Sequence, residues 1–391
     1  MSLYEVNMKQ SGIYVLLVLV LIFTLHIRPE VTASGNTNDC LRILDINVWS
    51  GLDYKGYFRM GEYETPALRE KRYSALVSQI RQLDPDIIGI HEANKLPDYA
   101  ERLARETGYE VFYHVGIGGI RLGSIGLPWN LREGDAILAK KYLNPQSAGR
   151  RQLSGGYVGN WASFHFSDAT QVIAIRITFQ DRPVFVFATH WHASLSDSPD
   201  ILAKAKAMND AGEMTGDEYA KVVTKIERGV AWRLSESKKT VDFIRKTAGN
   251  QIFILVGDFN AAADSREMAN LLQSGMVDVY RIANPDSSGF TWDPRTNLNY
   301  KAYYMKGPDA NEDSDAYEKL QDFAGEIPKR IDHIIIGPAF LMDSEGISIK
   351  SSKVVMRQII NGVHASDHYG VYAEIEAGRQ KQASQSKEGP K

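Results

Sequence analysis

A single domain mixing buried strands with amphipathic helices is what this sequence predicts, on three observations. Apolar runs such as Ile252-Phe253-Ile254-Leu255-Val256 and Ile87-Ile88-Gly89-Ile90 are unbroken and of strand length, as in sheets covered on both faces. Elsewhere apolar residues recur at helical spacing, and Val222, Ile226, Val230, Leu234, Val241 and Ile244 mark one side of a long helix over 217–248. The 391 residues suffice for one large domain or two ordinary ones, but no repeat or linker divides them.

At the N-terminus, residues 13–25 form an almost unbroken apolar run between Lys9 and Arg28. The run is shorter than the roughly 20 residues that span a bilayer. With the small-residue stretch Val31-Thr32-Ala33 after it, residues 1–40 are expected to be a secretory signal and short linker, with a retained membrane anchor as the alternative. Either places the remainder outside the cytoplasm, secreted or periplasmic.

From residue 41 the expected elements follow in order. A strand over 41–49 precedes a helix over 66–83, which Asp84-Pro85 stops. A strand over 86–92, a helix over 97–107 closed by Gly108, and a strand over 109–114 come next. Strands follow at 133–139, 161–166, 171–178 and 183–188, then the helix over 217–248 and the strand over 251–256. A short helix at 265–274 and strands at 331–336 and 370–376 complete the pattern. The glycine-rich stretch 116–131 reads as a loop, 193–216 as a polar insertion, and 284–329 as a long segment of little periodicity. The folded domain is therefore 41–377, and the Lys/Gln/Ser-rich tail 378–391 is expected to be disordered.

Composition narrows the function. A net charge of −3, from 45 basic and 48 acidic residues, advertises no polyanion partner but leaves room for a local basic patch. The single cysteine, Cys40, excludes an internal disulfide framework and a cysteine zinc site. No obligate protein partner is evident.

The chemistry lies where strands end. Asp258 and Asn260 follow an apolar run two apart, so on an extended chain they project to the same side. An Asx-turn is the plain alternative for that pair. Asn47, Glu92, His190, Asp332, Asp367 and His368 occupy comparable positions at or beside other apolar runs. Charged groups are seldom buried without partners, so a shared pocket accounts for the set better than coincidence does. The set suits phosphate-ester hydrolysis. A hard cation such as Mg²⁺, with Mn²⁺ or Ca²⁺ as alternatives, takes one or two carboxylates, and Glu92 with Asn47 and Asp367 can supply them. A carboxylate–histidine pair can align and deprotonate water, while Asn260 and His190 suit the binding of phosphoryl oxygens.

In this order the segments Asn47-Val48-Trp49, Ile90-His91-Glu92, Thr189-His190, Gly257-Asp258-Phe259-Asn260, Ile331-Asp332-His333-Ile334 and Ser366-Asp367-His368 resemble the endonuclease/exonuclease/phosphatase (deoxyribonuclease I-like) superfamily. The resemblance implies an α+β fold, a four-layer sandwich of two mostly antiparallel sheets packed face to face with helices outside. It also implies a divalent-metal-dependent hydrolase. In it Glu92 is the principal metal ligand, with Asn47 and Asp367 supporting. His190 and Asn260 hold the phosphate, Asp258 orients the attacking water, and Asp332 orients His368 as general acid/base. Asn47-Val48-Trp49-Ser50-Gly51 and Phe290-Thr291-Trp292-Asp293-Pro294-Arg295-Thr296-Asn297 are most similar to neutral sphingomyelinases. The expected substrate is therefore a phospholipid head group such as that of sphingomyelin, with aromatics in 300–305 offered to the membrane surface. The alternative is an exported deoxyribonuclease-like nuclease, for which Arg150-Arg151 and Arg69, Lys71 and Arg72 are candidate phosphate contacts. His192 beside His190, and the insertion after it, depart from the family pattern.

Overall fold

The computed structural model describes residues 40–52, 61–117, 119–122, 125–127, 132–154, 162–165, 169–303, 315–339 and 348–376. The N-terminal apolar run, residues 304–305 and the C-terminal tail lie outside these.

Strand alternation sets the architecture. The inward positions of β1 (Cys40–Asn47), β2 (Ile87–Ala93), β6 (Glu133–Lys140) and β15 (Gly370–Glu376) carry Leu41, Ile43, Ile87, Ile137 and Val371. These meet Ile175, Val186, Ile254 and Ile334 from β9 (Gln171–Phe179), β10 (Arg182–His190), β11 (Ile252–Asp258) and β13 (Asp332–Ile336). The first sheet is completed by β3 (Tyr109–Ile117) and β14 (Ser348–Val355) in the order β14-β15-β1-β2-β6-β3. The second adds β7 (Gln146–Gln152) and β12 (Val277–Asp278) in the order β12-β13-β11-β10-β9-β7. Each sheet has one parallel pair, β1·β2 and β10·β11, among antiparallel neighbours. A small third sheet joins β4 (Gly119–Leu122), β5 (Ile125–Leu127) and β8 (Ala162–His165).

The outward faces are covered by helices. α1 (Pro66–Leu83) and α2 (Asp98–Thr107) bury Leu76, Ile80 and Leu103 on Leu44, Ile46, Ile88 and Ile90. α1 starts on a Thr65 side-chain cap with Pro66 in its first turn. On the other sheet α4 (Gly216–Ala248) and α5 (Arg266–Gln273) bury Val241, Ile244, Met268 and Leu271 on Phe187, Phe253 and Leu255. A capping box between Thr215 and Glu218 fixes the start of α4. The layers therefore run helix, sheet, sheet, helix, as expected.

The polar insertion is structured. It contains α3 (Pro199–Asp210), whose Ile201, Ala205 and Met208 pack with Val222 and Ile226 of α4. The segment 284–329, expected to lack regular structure, follows α6 (Val279–Ala283) and holds α7 (Leu298–Tyr303) and α8 (Ala316–Gly325). Tyr300, expected at a membrane surface, is buried against Trp292 with ring centroids 5.4 Å apart.

Candidate active site

At one end of the inter-sheet space the same inward positions turn polar. Asn47 ends β1, His190 ends β10, Asp258 ends β11 and Asp332 begins β13, and register places Asp258 beside both His190 and Asp332. Asn47 donates from Nδ2 to Glu92 Oε1 at 2.8 Å and to Asp258 Oδ2 at 2.9 Å, which joins the sheets across the pocket. Its own Oδ1 accepts the Trp49 N–H at 2.8 Å, and Ser50 N–H donates to Glu92 Oε2 at 3.1 Å.

Three turns at this end use left-handed backbone, with φ of 58° at Trp49, 55° at Glu92 and 47° at Asn260. Non-glycine residues adopt that conformation at a cost and concentrate where function fixes them. Asp258 and Asn260 form the plain Asx-turn and also face the pocket. The Asn260 N–H closes an Asx-turn on Asp258 Oδ1 at 2.9 Å, while its Nδ2 lies 3.0 Å from His190 Nε2 and donates to Trp191 O.

His368 Nδ1 lies 2.9 Å from Asp332 Oδ2 and 3.9 Å from Asp258 Oδ2. Burial disfavours the charged ring, yet Asp332 and Asp258 together lift His368 to about 10. Burial works the other way on Asp258. It would raise that carboxyl, but His368 and His190 with the Asn47 and Asn260 hydrogen bonds hold it below its ordinary range. Burial lifts Asp367 to about 6 against the pull of His368, and Glu92 adds to the rise. All eight expected site residues thus share one neighbourhood.

The donor set fits a hard divalent cation. Glu92, His190 and Asp258 each offer an atom within 4.8 Å of the others; Asp258, Asp332 and His368 cluster as closely, but there the protonated His368 leaves only the carboxylates to face a cation. Asp332 Oδ1 is buried with no hydrogen-bond partner among the described residues. Carboxylates in excess of neutralising cations, one with an unused oxygen, are what such an ion requires.

Several contributors escaped the sequence reading. His91 is wholly buried between Asp45 (2.8 Å) and Asp135 (2.9 Å) directly behind the pocket, and its ring lies 6.3 Å from that of His190. Despite the cost of burying its charge, these two acids raise His91 well above the ordinary histidine range. Its signal was parity: Asn47 and His91 are in register and share the inward face. Trp292 sets its ring edge-on to His368 at 5.1 Å, and Asn297 Nδ2 donates to the carbonyls of Ser366 and Asp367. The segment 290–297 therefore braces the last motif. The Lys329 ammonium, 5.6 Å from the Trp292 ring, is depressed to about 8 by burial although the nearby Asp258 charge favours its protonation.

One candidate phosphate contact is reassigned. Arg72 is buried and committed to Glu64 at 2.6 Å and to the carbonyls of Val48, Trp49 and Ala365, so it braces the Asn47 loop from beneath. Arg69 is likewise paired with Glu62 and Glu64.

A four-layer sandwich with an acid- and histidine-lined pocket at its strand ends defines the class of phosphoester hydrolases. The chain belongs to the Endonuclease/Exonuclease/phosphatase family, whose model matches residues 46–368. No curated protein sequence matches it. Among solved structures it is similar in fold to D. rerio TDP2 humanized by 14 mutations, at 15% identity and TM-score 0.53 over 87% of this chain and 100% of that one. D. rerio TDP2 complexed with single strand DNA product matches at 16% identity and TM-score 0.53, over 86% and 99% of the two chains. An endonuclease/exonuclease/phosphatase from Bacteroides vulgatus matches at 14% identity and TM-score 0.52, over 86% and 99%.

Proposed function

We propose that this protein hydrolyses phosphodiester bonds in nucleic acid, using water as nucleophile and a divalent cation, Mg²⁺ first among candidates. One observation carries the reading: Asn47, Glu92, His190, Asp258, Asn260, Asp332, Asp367 and His368 come from separate strand ends into a single pocket. Glu92 would hold the cation, helped by Asp367 and by Asn47, whose Nδ2 fixes Glu92, and the bound cation would supply Lewis-acid polarisation of the phosphoryl group. Asp258, kept ionised by its histidine neighbours, orients the attacking water and accepts its proton. His190 and the Asn260 amide meet the non-bridging oxygens. His368, held by Asp332, presents a proton to the phosphoryl or leaving oxygen. The similarity in fold to D. rerio TDP2 complexed with single strand DNA product supports nucleic acid over the expected phospholipid, and burial of Tyr300 removes one reason for a membrane-facing tip. Export remains part of the proposal, on the apolar run at 13–25.

The test is hydrolysis by the full chain with Mg²⁺ of a single-stranded oligonucleotide, a duplex and sphingomyelin vesicles. Oligonucleotide cleavage that EDTA abolishes and added Mg²⁺ restores is expected. Phosphocholine release without oligonucleotide cleavage would overturn the substrate, and no hydrolysis of any ester would overturn the whole reading.

A further inference from the structure

His192 and the basic pair Arg150-Arg151 remain outside the catalytic pocket, and α4 connects them. The His192 ring stacks on Trp232 of α4 with centroids 4.0 Å apart and planes 12° from parallel. Trp232 is 36% exposed, whereas Trp49, Trp191 and Trp292 are all at 9% or below. The stack is anchored, not loose. His192 N–H donates to Glu236 Oε2 at 2.9 Å, and Glu236 is itself fixed by the Ser154 and Thr170 hydroxyls. His192 follows His190 by two residues, so this platform begins at the rim of the phosphate pocket.

Further along α4, Lys239, Phe243 and Lys246 follow Trp232 at steps of seven, four and three, which keeps them on one stripe. The stripe extends about 21 Å at 1.5 Å per residue. Between it and β7 lies a cleft of about 930 Å³ lined by Arg151, Arg176, Lys246, Asp242 and Phe243 among others. Arg151 donates to the Lys239 carbonyl at 3.0 Å and Arg176 to Gln146 Oε1 at 2.9 Å. Neutral acceptors position these guanidiniums without cancelling their charge. Among the described residues no carboxylate comes within 4.0 Å of Arg151, Arg176 or Lys246. A cationic cleft on a chain of net charge −3 is a local feature, not a consequence of composition.

We infer that the His192–Trp232 stack and this cleft form a track for a single-stranded nucleic acid. A base would extend the ring stack next to the scissile phosphate, and the following phosphates would descend past Arg151, Arg176 and Lys246. Stacked aromatics with a cationic groove are the combination that single strands require. A concave cleft between a strand and a helix suits a thin chain better than a flat lipid surface. The inference rests on the nucleic-acid reading above and extends it to the strand beyond the cleaved bond.

The experiment measures binding of a labelled 12-nucleotide single strand to the full chain in EDTA, across a salt series, by fluorescence anisotropy. Trp232→Ala should weaken binding roughly 5- to 150-fold, the weight of one stacked base. Arg176→Glu with Lys246→Glu should flatten the log–log salt slope by about 1.4, about 0.7 per phosphate contact. Arg245→Glu, an exposed cation of the same helix turn that does not line the cleft, should change affinity less than twofold. In hydrolysis, KM should fall from a dinucleotide to the 12-mer for the parent chain, and less so for the charge-reversed one. Equal affinity of parent and variants, or equal loss in the Arg245 control, would overturn the track, as would tighter binding to duplex or to anionic vesicles through the same residues. Cleavage of bis(4-nitrophenyl) phosphate by the parent with Mg²⁺ separates the outcomes, because its absence would indict the catalytic pocket instead.

Discussion

Inside the sandwich, the inward residues Ile43, Ile87, Val186, Ile254 and Ile336 are aliphatic, whereas four residues along the same strands the inward positions are Asn47, His91, His190, Asp258 and Asp332. Both ends are buried, except that His190 is partly open to solvent. At the aliphatic end the cost of ordering the chain is offset by apolar area removed from water, at about 25 cal/mol per Å². The polar end gains little in that way. It holds Asp258, Asp332 and Asp367 close together, uses left-handed backbone at Trp49, Glu92 and Asn260, and leaves one Asp332 oxygen without a partner. The shared strands teach that the aliphatic end supplies the stability that lets the polar end be strained and over-charged.

The largest effect that would break this division is on turnover. His368→Ala should lower it by about 100- to 10,000-fold, the weight of one positioned acid–base group. Stability should fall as well, because wholly buried Asp332 loses its histidine partner, so turnover is compared on the folded fraction well below the melting transition. Activity within a few-fold of the parent chain would mean that the polar end is merely structural.

A mirror-image result is expected from Ile254→Ala, four residues earlier on the strand that presents Asp258. Truncating a wholly buried isoleucine should cost about 2–5 kcal/mol of unfolding free energy. The folded fraction should hydrolyse substrate at nearly the parent rate. If activity at a temperature well below the melting transition fell as far as for His368→Ala, the two ends would not be separable.

Most of this division was legible in the sequence because strand-end polar residues interrupt apolar runs. Helix 66–83 and strand 370–376 are found with their expected bounds. What was not legible has physical causes. β7 and β14 are edge strands, paired on one side and rich in Ser, Gln, Lys and Arg, so they carry no apolar run. α3 buries only Ile201, Ala205 and Met208, too small a stripe to stand out from its Asp and Lys residues. His91 carries no signal of its own, because a lone histidine within a strand marks nothing and the acids that flank it, Asp45 and Asp135, lie 46 and 44 residues away.

The smallest expected effect sharpens the comparison with a third environment, where buried charge is balanced. Asp278 accepts from Arg330 Nη1 at 2.7 Å, lies 3.5 Å from His333 Nδ1, and receives the Arg281 N–H at the start of α6. Burial favours the neutral acid, but His333 and Arg330 outweigh it and depress the Asp278 carboxyl far below its usual range. An unfolded Asp titrates near ~3.9. The unfolded chain therefore takes up this proton first as pH falls, so the stabilisation is fully present above about pH 5 and shrinks below about pH 4. Asp278→Asn should accordingly cost about 1–3 kcal/mol in urea unfolding at pH 7, and the gap from the parent chain should narrow at pH 3.5. A gap that widened in acid would mean that Asp278 is protonated in the native state, and that this cluster is over-acidic like the pocket and not balanced against its cations.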